Sequence, residues 1–386
     1  MLDELTAPAP ELELEEEQSV TALELFFDLV FVFAITQVTG FLYHDPTWTR
    51  LVEALAILGA LWWAWSGFAW LGNTAGTDEG LTRVVLLGVM GPLLVASLAV
   101  PGAFGEDALL FGIAFLVVRV MHIGAYAVLA RGDPRLSYVV LRLARSVLPA
   151  TGLLVVAGAV PGTTRALCWA GALAIDYGGL WLGGTEGWRV NAAHFAERHR
   201  LIIIIALGES IVALGVGAGK LGTGVVVAAL LGIAVAAALW WVYFDVVAAV
   251  AARKLQEADV AERARMARDS FTYLHLPMVA GIVIFAFGVK ETLADVHAHL
   301  ASLPAAAVTG GVGLYLVALS FLKRRNIGSW NYPRLVAAAV LAALAPVATQ
   351  IPALASLGLV AAVACGLVVY ETWRYAEARD RIRHGS

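Results

Sequence analysis

Glu24 and Asp28 stand four residues apart in an otherwise apolar stretch, Leu23-Glu-Leu-Phe-Phe-Asp-Leu-Val-Phe-Val-Phe33. At that spacing a helix carries both carboxylates on one face. A charged side chain at the centre of a bilayer costs roughly 2.5 to 3.5 kcal/mol on insertion scales, so it faces protein or water there. Two acids on one face would make a cation station, a proton relay or a clamp for arginine. Other polar residues interrupt apolar runs in the same way: Arg119 with His122, Arg142 with Arg145, Asp176, Glu209 with Ser210, Asp245, His275 and Glu371. Pairing of Asp28, Asp176 and Glu209 with Arg119, Arg142 and Arg145 would neutralise the interior. On the functional reading Asp28 and Glu209 guard an ion path, and on the competing reading they hold helices together.

Aromatic rings form a second group. Trp62, Trp63, Trp65 and Trp70 are answered later by Trp240, Trp241 and Tyr243, and ring faces attract cations. Packing and interfacial anchoring compete with that reading. A third group, His194, Glu197 and His199 near Glu209, has the residue types of an acid–base centre. No nucleophile accompanies it, and neither a Gly-x-Ser-x-Gly elbow nor a Walker loop occurs. His297 and His299 lack a carboxylate or thiol cluster, and Cys168 and Cys365 sit inside apolar runs. No metal site, disulfide framework or cofactor is expected.

The elements that must position these groups follow from composition. Of 386 residues, 60% are hydrophobic and 15% charged, against about a quarter charged in soluble domains; mean hydropathy is +0.79. Soluble classes are thereby excluded, and a net charge of −4 gives no basic footprint for nucleic acid. A spanning helix needs roughly 20 apolar residues. Twelve such runs occur, near 21–43, 48–72, 81–100, 107–130, 136–159, 164–182, 201–217, 223–249, 270–292, 302–322, 333–350 and 353–373. With both termini cytoplasmic, 19 Lys and Arg fall in cytoplasmic segments and 4 opposite, the asymmetry expected of an inner-membrane protein. No signal peptide is expected ahead of the first span. The chain therefore divides into an acidic tail 1–19, six helices over 20–182, a link over 183–200, six more over 201–373 and a basic tail 374–386. Residues 253–269 alternate charge signs and predict a solvated segment.

The two halves resemble each other. Ala60-Leu-Trp-Trp63 recurs as Ala238-Leu-Trp-Trp241, and Asp28-Leu-Val-Phe31 can be laid on Glu209-Ser-Ile-Val212. An even number of spans per unit gives parallel repeats related by an axis along the membrane normal. The expected fold is all-α, a polytopic protein of about 12 transmembrane helices in two parallel six-helix repeats.

The stretch from Glu24 to Thr36 and the stretch Glu197-Arg-His-Arg-Leu-Ile-Ile-Ile-Ile-Ala-Leu-Gly-Glu209-Ser210 resemble the two signature segments of the bacterial low temperature requirement A (LtrA) family. Tyr273, His275, Pro277 and Met278 are similar to a third. The resemblance runs from about residue 18 to about 373 and implies a multi-pass membrane protein, with no reaction attached. At Arg200 the family more usually has Gly. Phe26-Phe-Asp-Leu-Val-Phe31 with Ala34-Ile-Thr36 is also similar to the Phe-Ser-Asp first-helix motif of lysosomal and bacterial potassium channels built from six-span repeats. That resemblance implies that the first and seventh helices line a pore, constricted at Phe33 and Leu214. Phe27 replaces the motif serine and Gly208-Glu-Ser210 the second motif, so potassium selectivity does not carry over.

The expected activity is a channel or transporter for a small cation or small solute, acting through the acids of helices 1 and 7. The alternatives are a membrane enzyme or accessory factor working on lipid or envelope intermediates, and a scaffold. The expected surroundings are the bilayer and the transported species, and a homodimer is compatible with the sequence.

Overall fold

A computed structural model describes residues 20–74, 80–217 and 221–376. The tail 1–19, Lys220 and residues 377–386 lie outside the described residues. Among the described residues the architecture is helical, with one isolated β-bridge between His299 and Pro352. In chain order the helices are α1 (Ala22–His44), α2 (Trp48–Thr74), α3 (Gly80–Leu98), α4 (Ala108–Leu129), α5 (Pro134–Ala159), α6 (Gly162–Gly183) and α7 (Ala192–Gly217). They continue with α8 (Thr223–Phe244), α9 (Val247–Glu257), α10 (Val260–Met266), α11 (Leu274–Ala294), α12 (Ser302–Ile327), α13 (Tyr332–Ala348) and α14 (Ala353–Arg374). A π-helical stretch, Ala267–Tyr273, joins α10 to α11.

Each expected span overlaps a helix, although the span 223–249 runs through α8 into α9 and the span 270–292 begins in the π-helical stretch. Nine membrane-crossing candidates emerge by length and composition: α1 to α5, α8 with α9, α10 with α11, α12 and α14. Outside that set, α13 has only 17 residues, α6 is diluted by Arg165 and Asp176, and α7 opens on the polar run His194 to Arg200. The link between halves is shorter than the expected 183–200. Residues 192–200 are instead the first turns of α7, where the Asn191 side chain accepts from the His194 N–H at 3.2 Å, a cap that satisfies an orphan donor. The segment 253–269 is helical, and its charges pair locally, Lys254 with Glu257 and Arg265 with Glu262.

Hydrogen bonds fix which helix ends share a face. Asn73 at the end of α2 exchanges two bonds with the Asn191 backbone at 2.8 and 2.9 Å, and His194 meets Glu24 at the start of α1. At the other end of the chain Arg334, opening α13, meets Glu371, closing α14. We call this the near face. On the far face the backbone N–H groups of Ala353 and Leu354 bond Ala298 and Val296.

Helix α1 packs on α2, α3, α7 and α11, and α7 packs on α1, α2, α8, α9 and α11, so the α1–α7 seam lies inside the bundle. The most buried spans are α2, α10–α11 and α12. Close approach of α11 and α12 depends on missing side chains. A Cβ at Gly311 would stand 2.6 Å from the Phe285 nitrogen, and one at Gly288 2.6 Å from that of Val308. Small residues at such crossings let backbones touch. Gly311→Val is therefore expected to lower the thermal midpoint of the purified protein by the equivalent of about 1 to 3 kcal/mol, the usual cost of overpacking. Gly310→Ala, whose Cβ meets nothing within 4 Å, should leave it unchanged. Equal midpoints for the two variants would contradict this packing.

Candidate functional site

The α1–α7 seam holds two polar stations. At the near face Thr21 caps α1 by a reciprocal capping box with Glu24, leaving Asp28 one turn deeper on the same face. Opposite them α7 presents His194 and Arg198, also four residues apart. His194 Nε2 lies 3.0 Å from Glu24 Oε2, Arg198 Nη1 3.6 Å from Glu24 Oε1, and Arg198 Nη2 2.9 Å from Asp28 Oδ1. Helix α2 closes the group: Trp65 Nε1 donates to Asp28 Oδ1 at 2.9 Å, and Asn73 Nδ2 approaches His194 Nδ1 at 3.4 Å. Asn73 Nδ2 also donates to a carbonyl, so the His194 ring nitrogen toward it accepts and the one toward Glu24 donates. Exposure of these four charged or titratable side chains is at most 2%. Yet Glu24 Oε1, Asp28 Oδ2 and the Arg198 Nε and Nη1 atoms have no hydrogen-bond partner.

The charge account of this station is simple. Two carboxylates and one guanidinium leave one negative charge, which a cation or one proton on the cluster balances.

The second station is nearer the far face. Thr36 Oγ1 donates to Glu209 Oε2 at 2.6 Å, Glu209 is 2% exposed, and Lys290 of α11 lies within electrostatic reach, its Nζ 3.9 Å from the Tyr43 ring centre. From Asp28 to Thr36 is eight residues, about 12 Å along α1. Between the stations Phe31 and Ile35 of α1 and Ile202 and Ala206 of α7 are at most 1% exposed. The seam is plugged in this conformation.

Beside the seam lies an aromatic box. His199 sits among Trp62, Trp65, Phe195 and Phe271, mostly edge to face, and meets the His275 ring at 5.3 Å. Its Nδ1 gives its proton to the Phe195 carbonyl at 2.8 Å, leaving Nε2 buried without a partner. The π-helical stretch explains the rest. A widened turn frees carbonyls from the usual ladder; here His275 Nδ1 donates to Ser270 O at 2.8 Å, and Trp62 Nε1 donates to Thr272 O at 2.8 Å. Because a carbonyl only accepts, His275 Nε2 must accept, and Tyr243 Oη donates to it at 2.9 Å.

A separate pair stabilises the first half. Arg119 of α4 reaches Asp176 of α6 at 3.1 Å and the Trp63 carbonyl at 3.2 Å, and His122 Nε2 bonds the Gly67 carbonyl at 2.9 Å. Gly67 permits this, since a Cβ there would stand 2.9 Å from His122 Cε1.

Of the residues singled out in the sequence, the structure brings Glu24 together with Asp28 and Asp176 with Arg119. Asp28 meets Arg198 rather than Arg119, Arg142 or Arg145. Arg142 is half-buried and donates to the Glu186 carbonyl, and Arg145 is exposed. Glu209 is not level with Asp28 but about three turns further along than Arg198. Ser210 is buried, with its Oγ unpartnered. Leu214 packs against Gly232 of α8, and Phe33 is half-buried on α1. The aromatic runs separate: Trp62 and Trp63 are buried, Trp63 stacking on Tyr177 at 4.1 Å, while Trp240 and Trp241 are 44% and 36% exposed. His194, Glu197 and His199 diverge, Glu197 accepting from the Val20 N–H at 3.2 Å. Sequence reasoning missed Arg198 as a partner of Asp28. A signal existed: an acid–acid pair and a His–Arg pair with the same spacing of four.

Among the described residues no group of three His, Cys, Asp or Glu side chains is placed to hold a metal ion. The family described as Bacterial low temperature requirement A protein (LtrA) matches residues 19–369. A protein of Rhizobium meliloti (strain 1021), described as uncharacterized, is 30% identical over 364 residues, 91% of this chain and 88% of that one. No solved structure matches.

Removing one partner of a buried pair strands the other charge, at about 3 to 5 kcal/mol. Arg119→Met and Asp176→Asn should each lower thermal stability in detergent by that order, and the double variant should recover more than half of the larger loss. Single variants as stable as the parent protein would contradict the pairing.

Proposed function

The chain belongs to the bacterial low temperature requirement A (LtrA) family, and from that premise and the geometry of the α1–α7 seam we propose that it carries a small cation or small solute across the membrane. The carrying observation is that the two buried acid stations lie on one helix seam, one toward each face, with an apolar plug between them. A charge that leaves water needs polar partners along its way, and the seam supplies them at both ends. The near station has one uncompensated negative charge and unpartnered carboxylate oxygens, which suits a cation or a coupled proton. The plug favours a transporter that opens by moving α1 against α7 over a permanently open pore.

On this reading the near face is cytoplasmic, as the excess of Lys and Arg supports, and α6, α7 and α13 cross the membrane with the other nine. The two halves are parallel repeats. In support, the neighbours α1–α2, α1–α3, α3–α4, α4–α5 and α5–α6 are matched by α7–α8, α7–α11, α11–α12, α12–α13 and α13–α14. The divergence of the His194, Glu197 and His199 side chains speaks against an acid–base centre there.

Purified protein in liposomes should pass at least one of potassium, sodium or protons down an imposed gradient. Asp28→Asn and Glu209→Gln, confirmed as folded by their elution and thermal midpoint, should each reduce that flux about tenfold or more, since the interaction of a charge with a carboxylate exceeds that with an amide by over one kcal/mol. Flux that both variants leave unchanged would sink the proposal.

A further inference from the structure

Trp188, in the short link between α6 and α7, lines two spaces at once. One is a cavity of about 50 Å³ among α2, α4, α5 and α6, and the other an open vestibule of about 990 Å³ on the near face. Trp188 is held by the rings of Trp70 and Tyr126, with centres at 5.0 and 5.5 Å. It is 8% exposed, and its indole N–H has no partner.

The cavity is built for an oxyanion. Besides Trp188 Nε1, Arg119 Nε is a second buried N–H with nothing to donate to. Arg119 is neutralised by Asp176, but Arg142, on the same cavity wall, is in no ion pair among the described residues and donates to the Glu186 carbonyl. The lining therefore keeps one positive charge. His122 gives its Nε2 proton to Gly67 and leaves Nδ1 as an unpartnered acceptor. Two free donors, a guanidinium and one free acceptor are the complement of a phosphate monoanion, which offers acceptor oxygens and one P–OH. The space holds about three or four waters by the usual measure, the size of such a group. The vestibule outside is basic: Arg135, Arg189 and Arg263 line it. Its one acid among the described residues, Asp133, is occupied in capping α5 through the Arg135 and Leu136 N–H groups. A cleft lined by one sign of charge draws in the opposite sign.

We propose that this cavity is a phosphate-binding site, reached from the vestibule past Trp188 and taking the phosphate of a soluble molecule or of a lipid headgroup. The assignment rests on Arg142, Arg119, His122 and Trp188, and it stands whatever the α1–α7 seam conducts.

Isothermal titration of the full chain in detergent tests it, with inorganic phosphate, dihexanoyl phosphatidate and chloride as probes at constant ionic strength. Saturable binding of at least one phosphate probe is expected. It should weaken about tenfold in Arg142→Gln, which removes the unpaired charge, and measurably in Trp188→Phe, which keeps the ring and loses the N–H. Both variants are to be checked for parental elution and thermal midpoint. Binding of free phosphate assigns a soluble ligand, and binding of phosphatidate alone a lipid. No saturable binding of either, a response equalled by chloride, or affinities unchanged in both variants would overturn the site.

Discussion

Two carboxylates on one apolar helix face impose the constraint that the rest of the molecule answers. Glu24 and Asp28 cannot face lipid, so α1 must be covered along that face by an element with matching donors at the same rise. Helix α7 meets the requirement because His194 and Arg198 repeat the spacing of four, and running alongside α1 from the same face it brings both pairs into register. That register fixes other choices. The helix must start at Ala192 rather than at the first apolar residue near 201, which shortens the inter-half link to eight residues, 184–191. The end of α2 must reach the same level so that Asn73 can brace the Asn191 turn and Trp65 can donate to Asp28.

The second constraint is the irregular backbone before α11. A π-helical turn in a membrane-embedded bundle exposes carbonyls that hydrocarbon cannot satisfy. The Trp62 indole N–H and the His275 imidazole supply the missing donors, and Tyr243 bonds the same imidazole, which ties α2 and α8 to α11 around the His199 and His275 rings. Such turns are frequent at functional sites. This one borders the seam, packing on α7.

Composition and run length made the membrane class and the twelve long helices legible. The spacing of Glu24 and Asp28 made their common face legible as well. What could not be read was which helix would face them, because Arg198 sits among polar neighbours and span counting placed it in a loop. Charge type alone put Asp176 and Arg119 into one pool of three acids and three arginines without saying which would meet, and it also enlisted Arg142 and Arg145, whose directions depend on how α5 is rotated. Likewise the likeness of Trp62-Trp63 to Trp240-Trp241 is a likeness of sequence, whereas burial separates the first pair from the second. The π-helical turn left no mark in hydropathy, since period-based reading does not see one inserted residue.

If the chain carries a cation or solute as we propose, α1 and α7 must part along their seam during transport. This claim is tested most directly by a cysteine at Ile202, which is fully buried between the two stations, in a background with Cys168 and Cys365 replaced by serine. The claim predicts that a water-soluble thiol reagent labels this cysteine during flux and much more slowly without a gradient. Sustained flux with the cysteine unlabelled would contradict it and place the pathway elsewhere in the bundle.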